Sequence, residues 1–95
     1  MSQFRLVFRV HAIQRMFQRR ISKEEVKQVI ATGETIETYA TDKPFPSRLI
    51  LGWSGSRPIH VVAADDAHAQ ETIIVTVYQP DAVEWETGFK RRKPR

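Results

Sequence analysis

The chain of 95 residues contains no cysteine. Disulfides, thiolate catalysis and zinc–thiolate sites are therefore excluded, and the core must hold together by packing alone. No apolar run approaches the ~20 residues that a membrane span needs. The first residues also lack the apolar stretch of a secretory leader. No membrane partner is expected, and the cytoplasm is the expected compartment. No lysine-containing phosphate loop follows the Ser54-Gly55-Ser56 turn. Ser47 has no paired His–Asp arrangement, which leaves serine hydrolysis without support. His68, with Asp65 and Asp66, lacks the spacing of a metal motif and reads as a solvated hairpin tip. No metal and no other cofactor is expected. Internal repeats and low-complexity segments are absent apart from a basic C-terminal run.

At 11.0 kDa the chain has room for one small domain. A domain of this size buries roughly 60–65% of its unfolded surface, enough for one thin core under one sheet. A single compact domain over residues 1–89 and a basic tail over residues 90–95 is the expected organisation. The formal net charge is +4, but its arrangement says more. Residues 1–33 carry seven cations against two acids, residues 34–89 three against nine, and residues 90–95 five against none. The profile is thus +5, −6, +5. A fold that brings the first segment near the last would build one concentrated positive surface for an anionic partner. A short basic run can equally be a solvated tail.

Phe4, Leu6, Phe8 and Val10 alternate with Arg5, Val7 and Arg9 and read as a short strand. A helix follows from about His11 to Arg19, with Ala12, Ile13, Met16 and Phe17 as its apolar face. Ser22 with Glu25 forms a capping box that starts a second helix, and Ile21 can staple onto Val26 across it. Val26, Val29 and Ile30 give that helix its buried side, and Gly33 is expected to end it as a left-handed residue. The pattern then becomes β. Thr35–Tyr39 and Arg48–Trp53 read as strands, with a loop between them punctuated by Pro44 and Pro46. Arg57–Ala63 returns from the 54–56 turn as a hairpin, and Thr72–Tyr78 is the most strongly patterned strand. Ala82–Phe89 is expected to form a helical turn with Trp85 packing back. The order predicts an α+β fold: an N-terminal strand and two helices on one antiparallel sheet of about four strands.

His11, Arg15 and Arg19 stand at i, i+4 and i+8, so at ~100° per residue they span only about 80° of the first helix. Guanidinium groups bind phosphate oxygens bidentately, and an imidazole titrates near neutrality. The stripe suits a phosphodiester; a solvated helix face would carry the same residues. His60 lies in the Arg57–Ala63 strand between Ile59 and Val61, where a histidine is more often a satisfied structural residue than a catalyst. Thr76 and Tyr78 share one face of the last strand and could line a site there.

The string from His11 to Ser22, HAIQRMFQRRIS, resembles the opening motif of a bacterial family described as domain of unknown function 4258. The resemblance continues through Gly33-Glu34 to Tyr39, through Asp42 and Pro44-Phe45-Pro46-Ser47, and through Leu49–Gly52. It includes Arg57–Val62, runs on to Thr76-Val77-Tyr78-Gln79-Pro80-Asp81, and takes in Trp85, Phe89 and Arg91-Arg92. Two positions depart from the pattern. Arg20 stands where the family usually has glycine, which would loosen or reshape the turn. Arg9 stands where a Ser or Thr would cap the first helix, weakening its start by ~1 kcal/mol.

That family is similar to the compact α+β ribonuclease toxins of the RelE, MqsR and barnase-like grouping. The resemblance implies the toxin half of a type II toxin–antitoxin pair, acting as a metal-independent endoribonuclease on RNA, specifically mRNA. It also implies a cognate antitoxin: a small zinc-finger protein with a CxxC…CxxC pattern, of the MqsA type. The expected site residues are His11, Arg15, Arg19, His60, Thr76 and Tyr78. His11 and His60 would share the proton transfers, Arg15 and Arg19 would stabilise the phosphorane, Tyr78 would contact the nucleotide, and Thr76 would orient it. A non-catalytic RNA- or partner-binding regulatory module, a degenerate toxin, is the alternative.

Overall fold

The computed structural model describes residues 4–94. Over those residues the chain forms β1 (Arg5–Phe8), α1 (Val10–Arg19), α2 (Lys23–Thr32), β2 (Glu34–Tyr39), β3 (Ser47–Ser54), β4 (Arg57–Asp66) and β5 (Glu71–Tyr78). The α+β expectation holds, but the sheet has five strands in the order β1-β5-β4-β3-β2 and is mixed. The β2–β5 meander is antiparallel, while β1 joins its edge parallel to β5, with Arg5 opposite Glu71 and Phe8 opposite Ile74. The two helices carry the chain from β1 to the far edge, and the meander returns β5 to β1's side. Nothing within a four-residue strand encodes that partner.

The capping box is present: the Ser22 hydroxyl accepts from Glu25 N–H at 3.1 Å, and the Glu25 carboxylate accepts from Ser22 N–H at 2.8 Å. Ile21 and Val26 are both buried in the core, as a staple requires. Gly33 corrects the sequence reading. Its backbone is extended, with φ −76° and ψ 175°. Glycine is needed there for space: a Cβ would stand 2.5 Å from the Val29 carbonyl oxygen and 2.7 Å from that of Leu51. Gly52 serves the same seating, since its missing Cβ admits Val29 of α2 onto β3. The left-handed helix end belongs to α1 instead, at Arg20, with φ 55° and ψ 46°. Its N–H bonds back to Phe17 O, and the Ile21 N–H bonds to Met16 O at 2.9 Å. The left-handed turn is thus made with arginine. At the other end of α1, Arg9 makes no side-chain cap bond.

Both helices lie on one sheet face. α2 packs over β3 and β4, and α1 along β5. The core between them includes Ala12, Met16, Val29, Ile59, Val61 and Ile74. Here the apolar face read for α1 needs correction. Only Ala12 and Met16 are buried, while Ile13 is 41% and Phe17 87% exposed. The helix meets the sheet along one strand, so its contact line is narrow, and half of the apolar stripe faces outward.

The segment after β5 returns across the opposite face of the sheet. Trp85 is buried as expected, but the 82–89 stretch is a set of turns rather than a helix. Asp81 organises it, accepting from the Val83 and Glu84 N–H groups. Residues of the basic run are tied down as well: Glu86 N–H bonds to Arg91 O, Lys93 N–H bonds to Glu84 O, and Arg92 bridges to Trp85.

Arg57, at the start of β4, holds the helical layer to the sheet. Its Nη2 donates to Arg20 O at 3.1 Å and to Glu25 Oε2 at 2.6 Å, and its Nη1 donates to Arg19 O at 3.4 Å. The Glu25 carboxyl is lowered from 4.5 to about 2, first by the Ser22 backbone N–H, then by the Ser54 hydroxyl, with Arg57 adding to both against burial. The stability these contacts supply is present above pH 4.5 and is lost as pH falls from there toward 2. Arg57→Ala is expected to cost about 2–3 kcal/mol in urea unfolding, and Arg57→Lys to restore only part of it, because lysine lacks the fork. Unchanged midpoints would remove the clamp from the account. Arg20→Gly is expected to raise stability by roughly 0.5–1 kcal/mol in the same measurement, since glycine adopts the left-handed pose without strain.

Candidate functional site

β1 ends opposite Ile74, so residues 75–78 of β5 run on beyond it. The chain turns into α1 at that point, with Arg9 N–H bonded to Ile74 O at 3.3 Å. An open cavity of about 420 Å³ is left between helix and strand. His11, Arg15 and Arg19 line one side, and residues 75–78 line the other. Five of the six residues expected at the site, His11, Arg15, Arg19, Thr76 and Tyr78, are therefore brought together.

The helical spacing that puts the stripe on one side of α1 also places it beside the buried Ala12–Met16 line, so it leans toward the sheet. His11 and Arg19 are exposed, and Arg15 is half-buried. Arg15 Nε donates to His11 Nε2 at a long 3.4 Å, which pairs the imidazole with a cation rather than with a carboxylate. Among the described residues no Asp or Glu forms a salt bridge with Arg15 or Arg19. Both guanidinium groups are thus available to an external anion. The helix end beneath Arg19 is fixed by Arg57.

His60 stands elsewhere. Ile59 and Val61 face the helices, so strand alternation turns His60 to the opposite face, where it is fully buried. Its Nε2 meets Phe89 O at 2.9 Å and its Nδ1 meets the Tyr78 hydroxyl at 3.1 Å. Trp85 packs on it edge to face at 4.5 Å. The Phe89 carbonyl can only accept, so Nε2 carries the proton and Tyr78 donates to Nδ1. Burial pushes the His60 pKa down, the Phe89 hydrogen bond works against this, and Arg92 adds to it. A proton-transfer group needs access to substrate; His60 has both nitrogens engaged and no exposed surface. Of the six residues expected at the site, His60 is thus the one the structure leaves outside the cavity, bonded instead to Tyr78 and Phe89.

Tyr78 stands opposite His60 in the sheet and shares its face; it lines the cavity at the free edge of β5, and its hydroxyl is bonded to His60. Burial raises its pKa, with Arg92 opposing, so the hydroxyl stays protonated. Thr76 lines the same wall. The basic run contributes less than its charge suggested. Lys90 bonds to Glu34 at 3.0 Å, and Arg92 lies near Glu84 and over the Trp85 ring at 4.8 Å. The acidic middle of the chain thus engages part of the C-terminal charge. His68 lies in the exposed 67–70 turn, and among the described residues no group of three His, Asp or Glu side chains forms a metal-binding cluster. Arg57 and the Phe89 carbonyl were not singled out by sequence reasoning. Arg57 shares the Arg57-Pro58-Ile59-His60 motif with His60, which was the signal available.

A model of the family described as Domain of unknown function (DUF4258) matches residues 8–79. No curated protein matches, and no solved structure matches. The matched span holds β1's end, both helices and the whole meander, and so every residue of the cavity.

Because the folded state favours neutral His60, its contribution is fully present above the unfolded value of 6.5 and declines as pH falls below it. The melting temperature of the wild type is expected to drop more between pH 7.5 and 5 than that of His60→Gln. Parallel pH profiles would show that His60 is not titrating in the folded protein.

Proposed function

We propose that this chain, which belongs to the DUF4258 family, is a metal-independent endoribonuclease that binds single-stranded RNA across α1 and cleaves it with His11. The supporting observation is the open cavity in which His11 stands beside two guanidinium groups without carboxylate partners among the described residues. Arg15 and Arg19 would take the nonbridging oxygens of one phosphate, and Tyr78 would contact the adjoining nucleotide through its ring or its protonated hydroxyl. Thr76, on the same wall, would orient it.

In this mechanism the 2′-hydroxyl attacks the adjacent phosphorus as His11 removes its proton. The O2′–P bond forms, negative charge grows on the phosphorane, and the two guanidinium groups stabilise it. The P–O5′ bond then breaks, and O5′ leaves with a proton from the imidazolium or from water. The products are a 2′,3′-cyclic phosphate and a 5′-hydroxyl. The oxygens stay within reach of cations at every stage, so the step requires only groups this cavity supplies.

The element order of one strand, two helices and an antiparallel meander supports placing the chain beside RelE-like toxins, with mRNA as substrate in the cytoplasm. A cognate antitoxin, a small CxxC…CxxC zinc-finger protein, belongs to the same reading. Its open, uncovered cation stripe is the surface such an inhibitor would need to block. A second reading, binding without cleavage, draws on one specific observation: only one of the two histidines assigned to proton transfer reaches the cavity.

Incubation with single-stranded RNA in EDTA separates the two. The enzyme reading expects cyclic-phosphate products from wild type, and a rate lowered by ~10²–10⁴-fold in His11→Ala. Arg15→Ala and Arg19→Ala are expected to weaken binding and to reduce its salt slope by about one unit each. Binding with no cleavage in the wild type would establish the second reading. Cleavage by His11→Ala at the wild-type rate would remove His11 from the chemistry.

A further inference from the structure

A second, larger depression lies on the helix-bearing face, away from the α1 cavity. It has a volume of about 1070 Å³ and runs between β1 and α2. The alternate residues Phe4, Leu6 and Phe8 form one wall, and Ile30 and Ala31 of α2 form the other. Leu6, Phe8 and Ile30 touch the core but remain partly uncovered. The gap exists because α1 packs along β5 and α2 over β3 and β4, which leaves no helix over β1.

The charges around this groove are unevenly engaged. Arg5 is paired with Glu71, and Arg48 with Asp65 at 3.0 Å. The other Asp65 oxygen accepts from the Thr72 hydroxyl at 2.8 Å. Lys23 has no salt-bridge partner among the described residues and sits over the Phe8 ring, 5.4 Å from its centroid. Lys27, one turn further along α2, reaches only the exposed Glu24, at 3.8 Å. The groove therefore offers an aromatic and aliphatic wall, two weakly engaged ammonium groups on its rim, and a polar floor in which Arg48, Asp65 and Thr72 bond to one another.

We propose that this groove binds an amphipathic organic anion, with an apolar chain against Phe4, Leu6, Phe8 and Ile30 and a carboxylate head between Lys23 and Lys27. Several features select this class. A cationic amphiphile would meet ammonium groups of like charge, Lys23 without an ion-pair partner among the described residues and Lys27 only loosely held by Glu24. A neutral apolar molecule would leave the lysines without a counter-charge. An anion with a chain uses both the charge and the uncovered wall. The site is independent of the ribonuclease reading, sharing no residue with the α1 cavity.

The probe is dodecanoate below its micelle-forming concentration, titrated into the ¹⁵N-labelled full chain and followed by amide shifts. Saturable one-to-one binding is expected, with shifts concentrated in residues 5–8 and 23–31. The double variant Lys23→Glu/Lys27→Glu should weaken it by at least ~10-fold, the size expected for reversing two partly exposed charges. Ala31→Trp, at an exposed helix position, should block the groove without changing its charge, and His11→Ala should bind as wild type does. Dodecyltrimethylammonium should give no saturable shifts. The proposal is overturned by non-saturating shifts, by equal binding of the cationic amphiphile, by unchanged affinity in both groove variants, or by shifts centred on Val10, Ile13 and Phe17 of α1. Whether the chain cleaves RNA affects none of these outcomes.

Discussion

Arg57 reaches from the first residue of β4 to three oxygens on the helical layer, two of them the last carbonyls of α1 and its turn, the third the Glu25 carboxylate. Few other contacts could hold α1 where it lies. The helix buries only Ala12 and Met16, and two side chains give about 2–4 kcal/mol of burial against the cost of ordering ten residues. Its start lacks a side-chain cap, and its end bends through a non-glycine residue in the left-handed region. An arginine fork fits this place because the two carbonyls and the carboxylate all accept, and one guanidinium can donate to all three. The basic stripe can stay open to solvent because its helix is anchored at its ends: by Arg9 N–H to β5 at one, and by Arg57 at the other.

Local chemistry was legible in the chain, and long-range geometry was not. The capping box announced α2 within one residue, because Ser22 and Glu25 act on each other across three positions. The 54–56 turn announced its hairpin for the same reason. Gly33 could not be read correctly, because glycine answers two different needs. A left-handed φ is a local property, whereas room for Leu51 O and Val29 O depends on how α2 meets β3. Ile13 and Phe17 fit an apolar stripe by spacing, but spacing does not say how wide a surface the helix will meet. A sheet edge offered one strand, and the stripe was left half outside. The parallel seat of β1 is of the same kind, settled by the path of everything that follows it.

The candidate site divides along the same line. His11, Arg15 and Arg19 belong to one helix, and their meeting follows from its period. Thr76 and Tyr78 reach the same cavity only because β1 stops short of their half of β5. His60 matched the pattern of a site residue, yet alternation with Ile59 and Val61 sent it to the other face. There it is the point where the returning C-terminal segment is fastened. Phe89 O takes one nitrogen, Tyr78 the other, and Trp85 closes the side. Since a neutral imidazole has one donor and one acceptor, the carbonyl's demand for a donor makes the other nitrogen accept, and the Tyr78 hydroxyl must point its proton inward. The segment after β5 therefore sets the direction in which Tyr78 donates.

The charge profile acquires a different meaning in three dimensions. The +5, −6, +5 arrangement suggested two basic ends converging on one surface, but Glu34 and Glu84 engage Lys90 and Arg92. Arg57, Arg48 and Arg5 are likewise matched, to Glu25, Asp65 and Glu71. Arg15 and Arg19 differ, since they form no such pair among the described residues. Paired charges project little field beyond their partners, while unpaired ones beside a low-dielectric wall attract counter-ions strongly. The charge of Arg15 and Arg19 is thus not offset by a bonded acid among the described residues, and it lies beside His11 on the cavity wall. Under the proposed function, a phosphate held by Arg15 and Arg19 would lie next to the exposed His11 imidazole, which lines the same cavity. On the proposed ribonuclease reading, binding would depend on the two cations and cleavage on the imidazole as well, so single substitutions one helical turn apart would separate them.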